Sequence, residues 1–207
     1  MVIKMQRIKE EFHNQIDIEK SKFITYVNRC FSEAEAKDYV QKIKKMHPDA
    51  THHCYAFVIG ENHELARSND DGEPSGTAGM PILEALRLSG VHDFVCVVVR
   101  YFGGIKLGAG GLVRAYSSSA SETIKKAPRV ELVTMNSYSL TFPYDYIRQL
   151  DYLLESKNAI ITNKDYDISV TYTFFSNYDN LSKDIQELSS GTLELVDLGP
   201  SILEKEL

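Results

Sequence analysis

Apolar positions along the chain recur with two different spacings, and the switches between them mark out the elements. Residues 9–18 and 22–30 predict two extended stretches joined by a short polar turn. "FSEAEAKDYVQKIKKMHP" then changes to helical spacing: Tyr39, Val40, Ile43 and Met46 share one face, Ser32 and Glu35 form an S-x-x-E capping box, and Pro48 stops the helix. "HHCYAFVIG" predicts a strand, and "ENHELARSNDDGEPSG" a long polar loop of the kind that often carries function. Thr77 is placed to cap a helix bearing Met80, Ile82, Leu83, Leu86 and Leu88, with Gly90 as its stop. "DFVCVVVR" is apolar enough without interruption to be a strand buried on both faces. A glycine-rich turn follows, and then a helix that ends near Pro128. The order over this half is ββαβαβα.

The second half has a cleaner pattern. "ELVTMNSYSLTF" predicts a strand, and "PYDYIRQLDYLLESKN" a helix with Pro143 in its first turn and Ile147, Leu150 and Leu154 inward. "AIITNKDY" and "DISVTYTFF" are two strands around a tight turn, the second with Ile168, Val170, Tyr172 and Phe174 on its apolar side. A helix with Leu181, Ile185 and Leu188 inward, stopped by Gly191, and a last strand "TLELVDLG" complete a βαββαβ order, that of a ferredoxin-like domain. The fold class predicted is α+β, with domains over 1–128 and 129–207.

Charge supports that division. Residues 1–128 carry 17 Lys+Arg against 16 Asp+Glu, whereas residues 129–207 carry 6 against 13, so the second domain is strongly acidic. It is therefore unsuited to sequence-independent nucleic-acid binding, and any RNA contact is expected on a local basic patch of the first domain. At 43% hydrophobic and 25% charged residues the chain is expected to fold. The start lacks an apolar core of signal-peptide length, and the longest strictly apolar run is Phe94 to Val99, so a cytoplasmic protein with no membrane span is expected. Cys30, Cys54 and Cys96 form no C-x-x-C pair, which predicts reduced, buried thiols.

The stretch "VVVRYFGGIKLGAGGLVRAY" has the strand, glycine turn, helix order of a phosphate grip. A Walker A loop fails because Ala109 and Gly110 stand where Lys and Ser/Thr are required. A dinucleotide fingerprint fails because Val113 replaces its last glycine, and Ser117 to Ser119 come too late in the helix to act as a kinase-type glycine-serine loop. What remains is charge: Arg100, Lys106 and Arg114 around Gly103 and Gly104 make an anion site, with Tyr101 and Phe102 either stacking on a base or packing in the core. A second polar group comprises His52, His53, Asp70, Asp71, Glu73, Ser75 and Thr77. His52 and His53 point to opposite sides of their strand, an EF-hand is excluded by Arg67 and Ala78 at ligand positions, and a zinc site on one histidine, Cys54 or the acidic loop lacks ligand spacing. Ser75 lies outside any G-x-S-x-G elbow.

Taken together, "ATHHCYAF", "SNDDGEPSGTAGMPILEAL" and the run from Arg100 to Gly108 resemble the signature segments of the IMPACT/YigZ family, and the second domain fits its bacterial branch. The resemblance implies a first domain like the second domain of ribosomal protein S5 and the fourth of elongation factor G, and a second like that factor's fifth. It also implies a link to translation control through partners, with a functional surface at His53, Asp71, Glu73, Arg100, Gly103, Gly104 and Lys106. The expectation is a non-enzymatic regulator of translation that binds the ribosome, RNA or a translation-associated protein through Arg100, Gly103, Gly104, Lys106 and Arg114, without cofactor or metal. The alternative is an enzyme acting on a phosphorylated small molecule or peptide at His53, Asp71 and Glu73. The sequence leaves the oligomeric state open.

Overall fold

The computed structural model describes residues 5–207; residues 1–4, the first of the stretch expected to lack a signal-peptide core, lie outside the described residues. The chain divides into two compact units, one running to Leu132 and including Lys205–Leu207, the other Val133–Glu204. In chain order the first holds β1 (Gln6–Ile8), β2 (Phe12–Ile18), β3 (Ser21–Arg29), α1 (Glu33–Met46), β4 (His52–Ile59), β5 (Leu65–Asn69), α2 (Gly79–Leu88), β6 (Val91–His92), β7 (Phe94–Tyr101) and α3 (Gly108–Lys126). The long strand β8 (Arg129–Phe142) leads into the second, followed by α4 (Ile147–Ser156), β9 (Ile160–Tyr166), β10 (Val170–Ser176), α5 (Leu181–Leu188) and β11 (Leu195–Glu206).

A five-stranded antiparallel sheet, ordered β2-β3-β7-β4-β5, forms the middle layer of the first unit. Its central strand explains the layering. Side chains alternate across a strand, so Phe94, Cys96 and Val98 of β7 enter a core with Ile82 and Leu86 of α2 and Leu112, Tyr116 and Ile124 of α3. Val95, Val97 and Val99 enter the opposite core with Tyr39, Val40 and Ile43 of α1. The uninterrupted apolar run thus serves two cores at once. Arg100 continues the first series, which directs a cation toward the α2/α3 layer.

In the second unit the strand order is β11-β8-β10-β9, and Leu140, Phe142, Val170, Tyr172 and Phe174 pack with Leu150, Leu154, Leu181 and Ile185 of its two helices. No helix among the described residues is long and apolar enough to cross a membrane. Cys30, Cys54 and Cys96 are free and buried, as expected, and burial pushes the Cys30 thiol up to about 12.

Several local expectations are corrected. The polar loop contains β5, which pairs residue by residue with β4 from Tyr55↔Asn69 to Ile59↔Leu65; the open backbone edge of β4 overrides the polar composition. The stretch expected over residues 9–18 is the strand β2, which begins later, at Phe12, and a short strand, β1, precedes it. Met46, Met80, Leu88 and Ile168 are exposed, because each lies at or beyond the end of its apolar face. The Ser32 cap forms, its hydroxyl accepting from the Glu35 amide at 3.2 Å, but the Glu35 carboxylate reaches the Phe31 amide.

Thr77 does not cap α2. Its hydroxyl donates to the Pro74 carbonyl at 2.6 Å, and the helix start is capped from a distance by Asp70, whose carboxylate accepts from the amides of Gly76, Ala78 and Gly79 at 2.9, 3.0 and 2.8 Å. Burial pushes the Asp70 carboxyl up, but these three amides outweigh it and hold the group below its ordinary value. A carboxylate with a depressed native pKa stabilises the fold above its unfolded value and loses that contribution as pH falls through the native one. Asp70→Ala is expected to cost about 1–2 kcal/mol in urea unfolding at pH 7. The gap from the wild type should narrow only below about pH 4; a gap unchanged down to pH 2 would refute the charged cap.

Candidate functional site

Arg100 ends the inward series of β7, and its charge requires a partner there. Glu73 supplies it: Nη1 of Arg100 donates to Oε1 of Glu73 at 2.6 Å, with the two side chains 6% and 4% exposed. The same carboxylate oxygen accepts from the Tyr116 hydroxyl of α3 at 2.8 Å, and Nη2 of Arg100 lies 3.4 Å from the Ser21 hydroxyl at the start of β3. Ser21 also accepts from the Gly103 amide at 3.2 Å. The guanidinium carbon sits 5.5 Å from the ring centres of both Phe23 and Phe102. One buried pair therefore ties β7, the turn before α2, α3 and the glycine turn together.

The glycines have separate reasons. A Cβ on Gly103 would collide with the backbone of Lys20 in the β2–β3 turn, so only glycine permits that crossing. Gly104 adopts φ +85, in the left-handed region. The turn then delivers α3, whose first residue follows Leu107 with no capping side chain. Its early amides are thus open to an anion, and the dipole of a 19-residue helix adds to the attraction.

Two cavities flank this helix start. One, of about 370 Å³, is lined by Glu73, Arg100 and Phe102 on one side and by Lys106, Gly108 and Ala109 on the other. The second, of about 380 Å³, has Lys106 and Arg114 facing Glu19. Lys106 and Arg114 have no ion-pair partner among the described residues, whereas Arg100 is committed to Glu73. The sequence-named cations thus separate into one buried structural charge and two available ones.

His53 and Asp71 belong elsewhere. Asp71 accepts from the His53 amide at 2.7 Å and pairs with Lys44 of α1 at 2.7 Å, while Nε2 of His53 lies 2.9 Å from the His47 carbonyl. Burial pushes the Asp71 carboxyl up, but Lys44 and the His53 amide bring it below its ordinary value. A cavity of about 280 Å³ beside α1 is lined by Lys44 and Asp71. Since adjacent strand residues face opposite ways, it is His52, not His53, that approaches Glu73, with Nε2 3.8 Å from Oε2. His53, Asp71, Arg100 and Lys106 do not meet in one cleft.

Tyr101 and Phe102 divide as well. The Tyr101 ring packs against the α1 core and its hydroxyl lies 2.9 Å from Nδ1 of His47, whereas Phe102 remains 46% exposed at the first cavity. Sequence reasoning missed Tyr116, Ser21 and Lys44, and placed His52 in the polar group without pairing it to Glu73. A signal for Tyr116 existed: it falls on the apolar face of α3, where a buried hydroxyl must find a partner. Cys54 lies beneath the site with Sγ 2.9 Å from the Asp70 carbonyl and 3.3 Å from the Tyr116 hydroxyl. Burial pushes its thiol far above the ordinary range, which leaves it without nucleophilic character. No group of three or more His, Cys, Asp or Glu side chains among the described residues could hold a metal ion.

Comparison with known proteins gives a consistent picture. A family model, the Impact N-terminal domain, matches residues 19–124. The chain is 41% identical over 201 residues to the IMPACT family member YvyE of Bacillus subtilis, covering 96% of this chain and 93% of the relative. It is 35% identical over 185 residues to the IMPACT family member YigZ of Escherichia coli, covering 87% and 91%. A solved crystal structure, described as that of a hypothetical protein, superposes with a TM-score of 0.61 at 32% identity, covering 95% of this chain and 98% of that one.

Removing one member of a buried ion pair strands the other charge, whereas replacing both by apolar groups need not. Arg100→Met is expected to lower the unfolding free energy by about 3–5 kcal/mol. Adding Glu73→Met should restore much of that loss; additive losses in the double variant would show that the two charges are not coupled.

Proposed function

This chain belongs to the IMPACT family, and on that premise we propose that it is a regulator of translation that docks on the ribosome through RNA phosphates, using the start of α3. The observation that carries the reading is the uncapped helix N-terminus with Lys106 and Arg114, both without an ion-pair partner among the described residues, beside it. Helix-start amides and unpaired cations together are what phosphate recognition uses. The family's general link to translation supports the same direction, as does the βαββαβ order of the acidic second unit, which is the order of a ferredoxin-like domain. An S5-like and elongation-factor-like pairing of domains belongs to this proposal too.

Electrostatics assign the two units different tasks. The acidic second unit is repelled by RNA, so the phosphate contact falls to the first unit and the second faces protein or solvent. An enzyme built on His53, Asp71 and Glu73 is disfavoured by the separation of those groups, with Glu73 held by Arg100 and Asp71 by Lys44.

Arg100→Ala is a poor probe of docking, since it unbalances the core. Lys106→Ala with Arg114→Ala removes two phosphate contacts and leaves the fold intact. Co-sedimentation with ribosomes at low salt is expected, with about tenfold weaker association in the double variant and a shallower salt dependence. Absence of association, or association indifferent to both substitutions, would overturn the reading.

A further inference from the structure

The cavity beside Arg100 has more than the features needed to hold a phosphate. One end is cationic and rich in donors, with Lys106 and the open amides of Gly108 and Ala109. The remaining wall combines the Arg100–Glu73 ion pair, whose carboxylate is already neutralised by the guanidinium, with apolar surface from Pro74, Leu107, Leu112 and the ring of Phe102. Phe102 is the unusual member: a large aromatic left 46% exposed at a cavity mouth, with its ring against the Arg100 guanidinium. A ring anchored by a buried cation is held in orientation before any ligand arrives, which lowers the ordering cost of binding.

Arg100 supplies a second observation independent of the helix start. The residue is 5% exposed and lines this cavity, yet its Nε makes no hydrogen bond. A buried donor without an acceptor is costly. The Arg100 side chain thus keeps one donor unspent at the cavity wall.

A free inorganic phosphate would use the cationic end and leave the apolar wall wet. A duplex offers phosphates but keeps its bases stacked and out of reach. A single nucleotide with an unstacked base matches both ends, and a cavity of about 370 Å³ is of the size that small ligands occupy. Resting on the RNA-directed docking proposed above, we propose that this cavity takes one unpaired nucleotide of an RNA strand. The base stacks on Phe102 and its phosphate lies against Lys106 and the first amides of α3. The protein would then select single-stranded or looped RNA over helical RNA, as stacking platforms do.

Fluorescence anisotropy with a labelled 12-nucleotide single-stranded RNA and a hairpin of equal phosphate number, its arms joined by a non-nucleotide linker so that it has no unpaired base, tests this on the full chain at low salt. The single strand is expected to bind at least about tenfold more tightly. Phe102→Leu, which keeps an apolar side chain and removes the ring, should weaken the single strand about tenfold and leave the hairpin unaffected, while Phe102→Trp should preserve or tighten binding. Equal affinity for strand and hairpin, or indifference to Phe102→Leu, overturns the base site. A free 5′-mononucleotide that binds as tightly as the strand also overturns it, by assigning the cavity to a metabolite. Loss of the base site would leave ribosome association through Lys106 and Arg114 standing, whereas absence of that association would remove the docking proposal itself.

Discussion

The buried ion pair between Arg100 and Glu73 is the constraint from which the rest of the first unit's site follows. Arg100 is delivered to the α2/α3 layer by strand alternation, since it extends the series Phe94, Cys96, Val98. A guanidinium so placed must be neutralised, and the turn before α2 does so by bringing Glu73 to 2.6 Å. Tyr116 then shares the same carboxylate oxygen from α3. Desolvating two charges costs more than their attraction returns unless the remaining polar atoms are also paired. Here Tyr116 and Ser21 provide much of that pairing, and Nε of Arg100 is left over.

Consequences reach the surface through the glycine turn. Ser21 links Arg100 to the Gly103 amide, and Gly103 lies so close to the Lys20 backbone that no side chain is tolerated there. The position of the turn fixes where α3 begins, and hence where its uncapped amides and Lys106 point. The proposed docking surface is therefore made of exposed groups whose placement depends on buried ones. Arg100 holds the turn and the Phe102 ring in position, while Lys106 and Arg114 add charge with no ion-pair partner among the described residues.

Much of the fold is legible in the spacing of apolar residues. The alternation in β10 and the three-and-four spacing in α1, α4 and α5 reflect burial on a single face, which the sequence alone reports. β5 was hidden because its pairing energy comes from the edge of β4 and not from its own side chains. The Asp70 cap was hidden for a related reason: it acts on amides six to nine residues away, beyond the N-cap pattern that pointed to Thr77. Met46 and Leu88 show the limit of periodicity itself, since a helical face extends only as far as the layer it packs against.

For the site, sequence by itself determined the residue types: a cation and two aromatics closing an apolar strand, glycines in the turn, further cations around the next helix start, and an acidic segment ahead of α2. It also excluded the known nucleotide grips, because those depend on residues at fixed offsets. What it left open was which charges meet, since that depends on segments 27 residues apart in the chain, such as Glu73 and Arg100. The tertiary structure alone decided that Arg100 is buried while Lys106 has no ion-pair partner among the described residues, that it is His52 which approaches Glu73, and that Asp71 answers to Lys44. Burial and pairing are properties of the packed layers, and a linear pattern of residues does not contain them.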